Sequence, residues 1–313
     1  MLYDVPAPAK LNLFLHVVGR RPDGYHLLQT AFRFIDLCDT LHFDASPGGR
    51  IERADDLPGV PPEQDLVVRA ARALQQATGT RQGARIALEK RIPQGGGLGG
   101  GSSDAASTLI ALNRLWGTGL SRRDLMALAL PLGADVPVFV FGQSAFAEGV
   151  GEVLAPLTLP QAAYLVAQPD ASVPTAGVFA DPDLTRDTPS ITIADFLASQ
   201  GSGANSAASA ETQASQPLFG RNDLEPVVCR RYPEVSRAAR WLSERGIHAR
   251  MSGSGACLFA QYATLRQAVL AQQEITATMR VAGDSTGNTQ PGFRLVRACP
   301  GLAEHPLRNW IAR

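Results

Sequence analysis

Between Ile92 and Ala106 the chain reads I-P-Q-G-G-G-L-G-G-G-S-S-D-A-A, with six glycines in seven residues around Leu98. Such a stretch has almost no Cβ atoms. Its backbone is free to take positive φ and to approach another group closely. Ahead of it, Ala84 to Lys90 alternates as a strand does, and behind it Asp104 to Leu112 reads as a helix of small and apolar residues. Strand, glycine loop and helix together make an anion site. The first-turn amides of a helix lack intrahelical partners, its dipole is positive at that end, and successive loop amides add a concavity. No Gly-Lys-Ser/Thr closes the loop, so it is not a Walker-type loop. No acid about 20 residues on closes a dinucleotide-binding unit either, Asp124 being part of a helix start. A flexible linker would not sit between a strand and a well-formed helix.

The chain has 313 residues, 45% of them hydrophobic, which is ample for a core and predicts two domains. Its 29 acidic and 29 basic residues balance, so neither a nucleic acid nor a membrane surface is an expected partner. Cys38, Cys229, Cys257 and Cys299 form no CxxC pair. A metal cluster or disulfide framework is therefore not expected, and no metal ligand is assigned. The start of the chain has no secretory pattern, and no apolar run approaches the roughly 18 residues of a membrane span. A cytoplasmic protein is expected.

Along the chain, Leu11, Leu13 and Leu15 alternate with Lys10, Asn12 and His16, a strand that puts Lys10 and Asn12 on one face. By pattern alone that face serves equally well as a solvent face. Arg20 to Gly24 signals a turn. Ala31–Leu37 and Asp39–Phe43 read as further strands of a mainly antiparallel sheet. Asp65 caps a helix that Gly79 stops, and Ser121 and Asp124 open another with a capping box. Asp135 stands between a Gly-Ala turn and an apolar run. Such an aspartate often only caps a turn, yet an acid entering a buried segment needs a cation or donors. Ser144 to Glu152 is a second, weaker glycine-containing turn. A boundary near Pro156 divides residues 1–155 from 156–313. In the second part a short helix runs from Thr175 to Phe179, and Arg221 to Glu225 opens another. Ser252-Gly-Ser-Gly-Ala256 feeds an apolar strand, Leu265–Met279 is helical, and Phe293–Ala298 is a last strand. Residues 199–217, low in complexity and free of Lys and Arg, are expected to be a disordered insertion.

Three polar, glycine-assisted segments stand out in order: P-A-P-A-K-L-N-L, P-Q-G-G-G-L-G-G-G-S-S and M-S-G-S-G-A-C. They resemble the first, phosphate-binding and last motifs of the GHMP kinase superfamily. Further segments are similar to the branch that acts on a cytidylyl diphosphate sugar alcohol: R-P-D-G-Y-H-L-L-Q-T, G-A-D-V-P-V-F, F-A-E-G-V-G-E and N-D-L-E-P. The likeness covers nearly the whole chain; Asp65, where an Asn is more usual, and Asp104 are departures from it.

The resemblance implies a two-domain α+β fold with a cleft between the domains. It implies ATP-dependent phosphorylation of the 2-hydroxyl of 4-diphosphocytidyl-2-C-methyl-D-erythritol in non-mevalonate isoprenoid synthesis, with Mg2+ carried by the nucleotide. ATP phosphates would lie on Pro93, Gln94, Gly95, Gly96, Gly97, Leu98, Gly99, Gly100, Gly101, Ser102 and Ser103, and the two hydroxyls would bond phosphate or touch Mg2+. Asp135 would take the proton of the attacking hydroxyl, and Lys10 would hold that carboxylate ionised and stabilise the transferring charge. Tyr25 and Phe179 would stack on cytosine and His26 would hydrogen-bond it, with Asn12 and Thr175 holding the polyol or diphosphate. The protein would be a monomer or homodimer. Another GHMP kinase, of homoserine or mevalonate type, is the nearest rival, and the Tyr25–His26 pair argues against it. A silent nucleotide-binding protein is the other rival, opposed by the joint presence of Lys10, the glycine loop and Asp135.

Overall fold

The alternating segment around Leu11 is the middle of one 19-residue strand, β1 (Leu2–Arg20), which turns back antiparallel into β2 (His26–Ser46). The two strands expected at 31–37 and 39–43 are one. The register steps from Pro8↔Cys38 to Ala9↔Ile35, so Asp36 and Leu37 bulge out of β2 where the sequence had suggested a break. This computed structural model describes residues 1–54, 60–201, 215–282 and 291–311.

After β3 (Ile51–Arg53) comes α1 (Leu66–Thr78), then β4 (Gly83–Glu89). Asp65 caps α1 as expected, its carboxylate accepting from Val67 N–H at 2.9 Å, and Gly79 closes the helix at φ 65°. The second carboxylate oxygen of Asp65 pairs with Arg53 at 2.8 Å, both side chains about 5% exposed. Helix α2 (Gly100–Leu115) begins four residues before the expected start, so Gly100 to Ser103 form its first turn. Intrinsic propensity disfavours two helical glycines. Packing overrides it, because Ser103 through Asn113 are all buried. Then follow α3 (Arg122–Ala129), opened by the expected Ser121–Asp124 capping box, and α4 (Val136–Phe141), which the apolar run did not reveal as a helix. The weak glycine turn is the bend of a hairpin, β5 (Ala145–Glu148) and β6 (Val153–Pro156).

The second half holds β7 (Ala163–Pro169), α5 (Thr175–Phe179), α6 (Ile193–Gly201), α7 (Glu225–Arg231), α8 (Pro233–Ser243), β8 (Arg250–Met251), β9 (Leu258–Tyr262), α9 (Leu265–Ala282) and β10 (Phe293–Leu302). Of the segment expected to be disordered, 202–214 lies outside the described residues. At its ends, Ser199 to Gly201 finish α6 and Gln216 bridges to Gln261. Residues 283–290, between α9 and β10, also lie outside the described residues.

Among the described residues ten strands make one sheet in the order β3-β4-β2-β10-β7-β9-β8, with β1 on β2 and the β5–β6 hairpin also on β2. Strand β10 joins the halves, pairing with β7 along its length and with β2 at Gly301 and Leu302. One core packs α1 to α4 on the first half of the sheet, a second packs the C-terminal helices, and a third, with Leu11, Leu13, Tyr164 and Phe259, lies between. Leu11 and Leu13 face this third core, so the alternation sends Lys10 and Asn12 to the opposite face, toward the glycine loop. Asp65→Ala is expected to cost about 1–3 kcal/mol through loss of the cap and of a buried charge partner, and Asp65→Asn less, as measured by chemical denaturation.

Candidate active site

The glycine loop is shaped by what lies where side chains would be. At Gly97, with φ 72°, a Cβ would fall 2.0 Å from the Ser252 carbonyl oxygen. At Gly99, also at φ 72°, it would meet Lys10 Cε at 3.1 Å and the Phe139 ring. The loop's carbonyls are turned into the protein. Gly95 O and Gly96 O accept from the amides of Ala256 and Cys257, and Leu98 O accepts from Lys10 N–H at 2.9 Å. The Leu98 side chain is core. Gly97 O accepts both from Ser252 Oγ at 3.0 Å and from Lys10 Nζ at 3.1 Å. The Ser252–Ala256 segment is thus the dock of the loop, while Gly253 and Ser254 line the cleft beside it. The first-turn amides of α2 lack intrahelical acceptors, and Gly99 to Ser102 line a cleft of about 890 Å³.

The two expected serines part company. Ser102 lines the cleft. Ser103 is fully buried, its hydroxyl donating to Pro8 O at 2.7 Å and its amide to Gly99 O, so it braces α2 against β1 and has no hydroxyl to offer a phosphate.

Lys10 and Asp135 meet at 3.1 Å. Asp135 stands at the N-terminus of α4 but makes no cap bond, which leaves its carboxylate, 37% exposed, for the cation and the cleft. The Lys10 ammonium is about 3% exposed and also donates to Asn12 Oδ1 at 2.6 Å. Asn12 is committed at both ends of its amide: Nδ2 donates to Thr30 Oγ1 at 3.0 Å, and the Thr30 hydroxyl donates on to Phe14 O. Asn12 lines the cleft as expected, yet its amide orients Lys10 and leaves little for a polyol.

A second buried cation went unnoticed in the sequence. Lys90 bonds Asp39 and, at 2.7 Å, Asp104, while Asp39 also takes the amides of Arg91 and Ile92. The trio staples the entry of the glycine loop to α2. Burial works against the Lys90 charge, but the two carboxylates outweigh it and raise its pKa. Burial, opposed by Lys90 and reinforced by Asp39, pushes the Asp104 carboxyl up to about 8, and its Oδ1 has no partner among the described residues. The only local signal was an acid inside an otherwise small and apolar helix; Asp39 lies too far along the chain to leave one.

Also along the cleft, Tyr25 is 64% exposed on the β1–β2 turn, and His26 and Phe179 face each other with ring centroids 5.2 Å apart. Thr175, on α5, lines the same cleft and bonds Ser254 at 2.7 Å. The structure therefore gathers Pro93, Gln94, the glycines, Lys10, Asn12, Asp135, Tyr25, His26, Thr175 and Phe179 along one cleft. Arg186, unremarked in the sequence, donates to His26 Nε2 at 3.0 Å. Among the described residues no group of three or more His, Cys, Asp or Glu side chains is arranged to hold a metal ion.

The family models for the GHMP kinases N terminal domain and the GHMP kinases C terminal match residues 65–143 and 205–281. The chain is 74% identical over 311 residues, 99% of each chain, to the 4-diphosphocytidyl-2-C-methyl-D-erythritol kinase of Bordetella parapertussis. The chain belongs to the 4-diphosphocytidyl-2-C-methyl-D-erythritol kinase family of GHMP kinases. A family member from Ralstonia nicotianae is 53% identical over 306 residues, covering 98% of this chain and 96% of its own. A crystal structure of 4-(cytidine 5'-diphospho)-2C-methyl-D-erythritol kinase superposes with a TM-score of 0.76 at 34% identity, covering 95% of this chain and 98% of that one. Homoserine kinase from Cytophaga hutchinsonii, at 17% identity and a TM-score of 0.62, shares the fold. As a GHMP kinase the chain uses ATP.

Asp104 gives a pH signature. Its folded-state pKa lies above the usual carboxylate value, so the folded chain binds the extra proton. Stability from this group is present at low pH and falls as pH rises toward 8, by up to about 1.4 kcal/mol per unit. Asp104→Asn is expected to flatten that slope and to raise the denaturation midpoint at pH 8 relative to wild type.

Proposed function

We propose that the chain transfers the γ-phosphoryl group of ATP to the 2-hydroxyl of 4-diphosphocytidyl-2-C-methyl-D-erythritol, a step in non-mevalonate isoprenoid precursor synthesis. The observation that carries this reading is the Lys10–Asp135 pair, which lines one cleft with the first turn of α2 and the rings of Tyr25, His26 and Phe179. Kinship with named kinases of that substrate supports it.

The loop and first-turn amides would hold the ATP phosphates, Mg2+ would come with the nucleotide and offset phosphate charge, and Ser102 would offer a hydroxyl from the cleft wall. Asp135 takes the proton of the 2-hydroxyl as its oxygen bonds the γ-phosphorus, and the bond to ADP breaks. The Lys10 ammonium, held by Asn12 and Gly97 O, stabilises the charge on the transferring group. Tyr25 and Phe179 flank the cytosine, His26 bonds its edge, and Thr175 reaches the diphosphate. Phosphoryl transfer asks mainly for positioning and charge stabilisation, and this cleft supplies both from fixed elements. No helix among the described residues is long and apolar enough to cross a membrane. The enzyme works in the cytoplasm as a monomer or homodimer.

A coupled ADP-release assay tests the reading, offering the cytidylyl substrate, homoserine, mevalonate and galactose separately with Mg-ATP. Release with the cytidylyl compound alone is expected. Release with another alcohol, or with none, would overturn the substrate assignment. In the same assay Asp135→Ala is expected to lower turnover by roughly 10²–10⁴-fold while ATP still binds. Near-normal turnover would remove Asp135 from the chemistry.

A further inference from the structure

Arg186 lies between α5 and α6, and every donor of its guanidinium is occupied. Nε donates to His26 Nε2 at 3.0 Å, Nη1 to the carbonyls of Pro182 and Leu184, and Nη2 to the carbonyls of Phe179 and Asp181. A guanidinium has five N–H donors and no acceptor. The Asp181 carboxylate, which would otherwise neutralise it, bonds Arg230 and Arg231 instead.

This fixes the state of His26. An arginine never accepts a hydrogen bond, so the lone pair on His26 Nε2 must face it. A neutral imidazole with its lone pair on Nε2 carries its proton on Nδ1. A protonated ring would instead set two donors nose to nose. We propose that Arg186 is the positioning residue of the nucleobase end of the cleft: it holds His26 as a neutral Nδ1–H donor and, through the Phe179 carbonyl, ties down the aromatic ring that faces it. The proposal rests on the cytidine reading above and deepens it. A donor at Nδ1 selects a base with an acceptor edge. Cytosine N3 accepts where uracil N3–H donates.

Three further observations agree. Nδ1 of His26 has no protein partner among the described residues, and the residue lines the cleft. Its ring lies 5.2 Å from Phe179, so one guanidinium controls both the edge contact and a stacking face. Burial, then Arg186 and Arg20, the two cations beside it, lower its pKa and keep it neutral near pH 7.

Two measurements test the proposal. Nitrogen NMR of histidine-labelled wild type, with the His26 signals assigned through His26→Gln, is expected to show a protonated Nδ1 and a bare Nε2 at neutral pH. In Arg186→Met the ring is expected to revert toward the Nε2-protonated form that free histidine prefers. The same variant is expected to raise KM for the cytidylyl substrate on the order of tenfold and to narrow the preference over the uridylyl analogue, while kcat and KM for ATP stay within about twofold. An Nε2-protonated His26 in the wild type overturns the proposal without any kinetics or any variant. So does an unchanged KM in a folded Arg186→Met whose tautomer has switched. A wild type with the Nδ1 tautomer that fails to turn over the cytidylyl compound upholds the tautomer and overturns the substrate assignment.

Discussion

An ammonium group that is only about 3% exposed must be wrapped in oxygen. Lys10 finds three oxygens, and they come from three separate places in the chain: Asn12 on β1, Gly97 in the loop and Asp135 at the start of α4. Each contact imposes a condition on its own element. Gly97 O reaches the ammonium only because Gly97 has no Cβ to collide with the Ser252 carbonyl. Asn12 presents its oxygen because Thr30, on the neighbouring strand, takes its nitrogen. Asp135 is available because it does not cap the helix that it begins. The pairing of β1 with β2, the docking of the loop on the 252–257 turn and the entry of α4 therefore converge on one cation.

The two buried lysines divide the work. Lys10 shares the cleft with one carboxylate, Asp135, that is 37% exposed, so its surroundings stay open to the cleft. Lys90 sits between two buried carboxylates, and burial raises the pKa of one of them, Asp104. That arrangement has little to do with transfer chemistry and much to do with stapling. Asp39 gathers the amides just before the loop and Asp104 rides on the helix just after it. The loop is flexible by composition and stiff by context.

Features encoded locally were legible in the sequence. The glycine loop, the Asp65 and Ser121 caps, the Gly79 stop and the strand that puts Lys10 and Asn12 on one face all rest on near-neighbour chemistry, and the structure carries each of them. Features set by tertiary packing were not. Gly100 and Gly101 are poor helix residues, yet they turn as α2 because the helix behind them is buried. The break at Cys38 is a bulge in one strand, since β1 continues to pair on both sides of it. Ser102 and Ser103 look alike in the sequence, and only the direction of the helix separates the one that faces the cleft from the one that faces β1. Lys90 and Asp39 bond each other 51 residues apart and Arg186 reaches His26 160 residues away, so no short pattern announces them.

Strand β10 follows every other strand in the chain, yet it sits near the middle of the sheet between β2 and β7. The residues just beyond it, Leu307 and Ile311, belong to the core of the first half. On the ribosome, the hairpin that carries Lys10 is made early and must wait for some 250 further residues before its sheet neighbour emerges. A chain ending before residue 293 leaves Phe34 and Ile35 of β2, and β7 along its length, without the strand that pairs with them. The segment that ties the two halves of the sheet together is thus the last to be made.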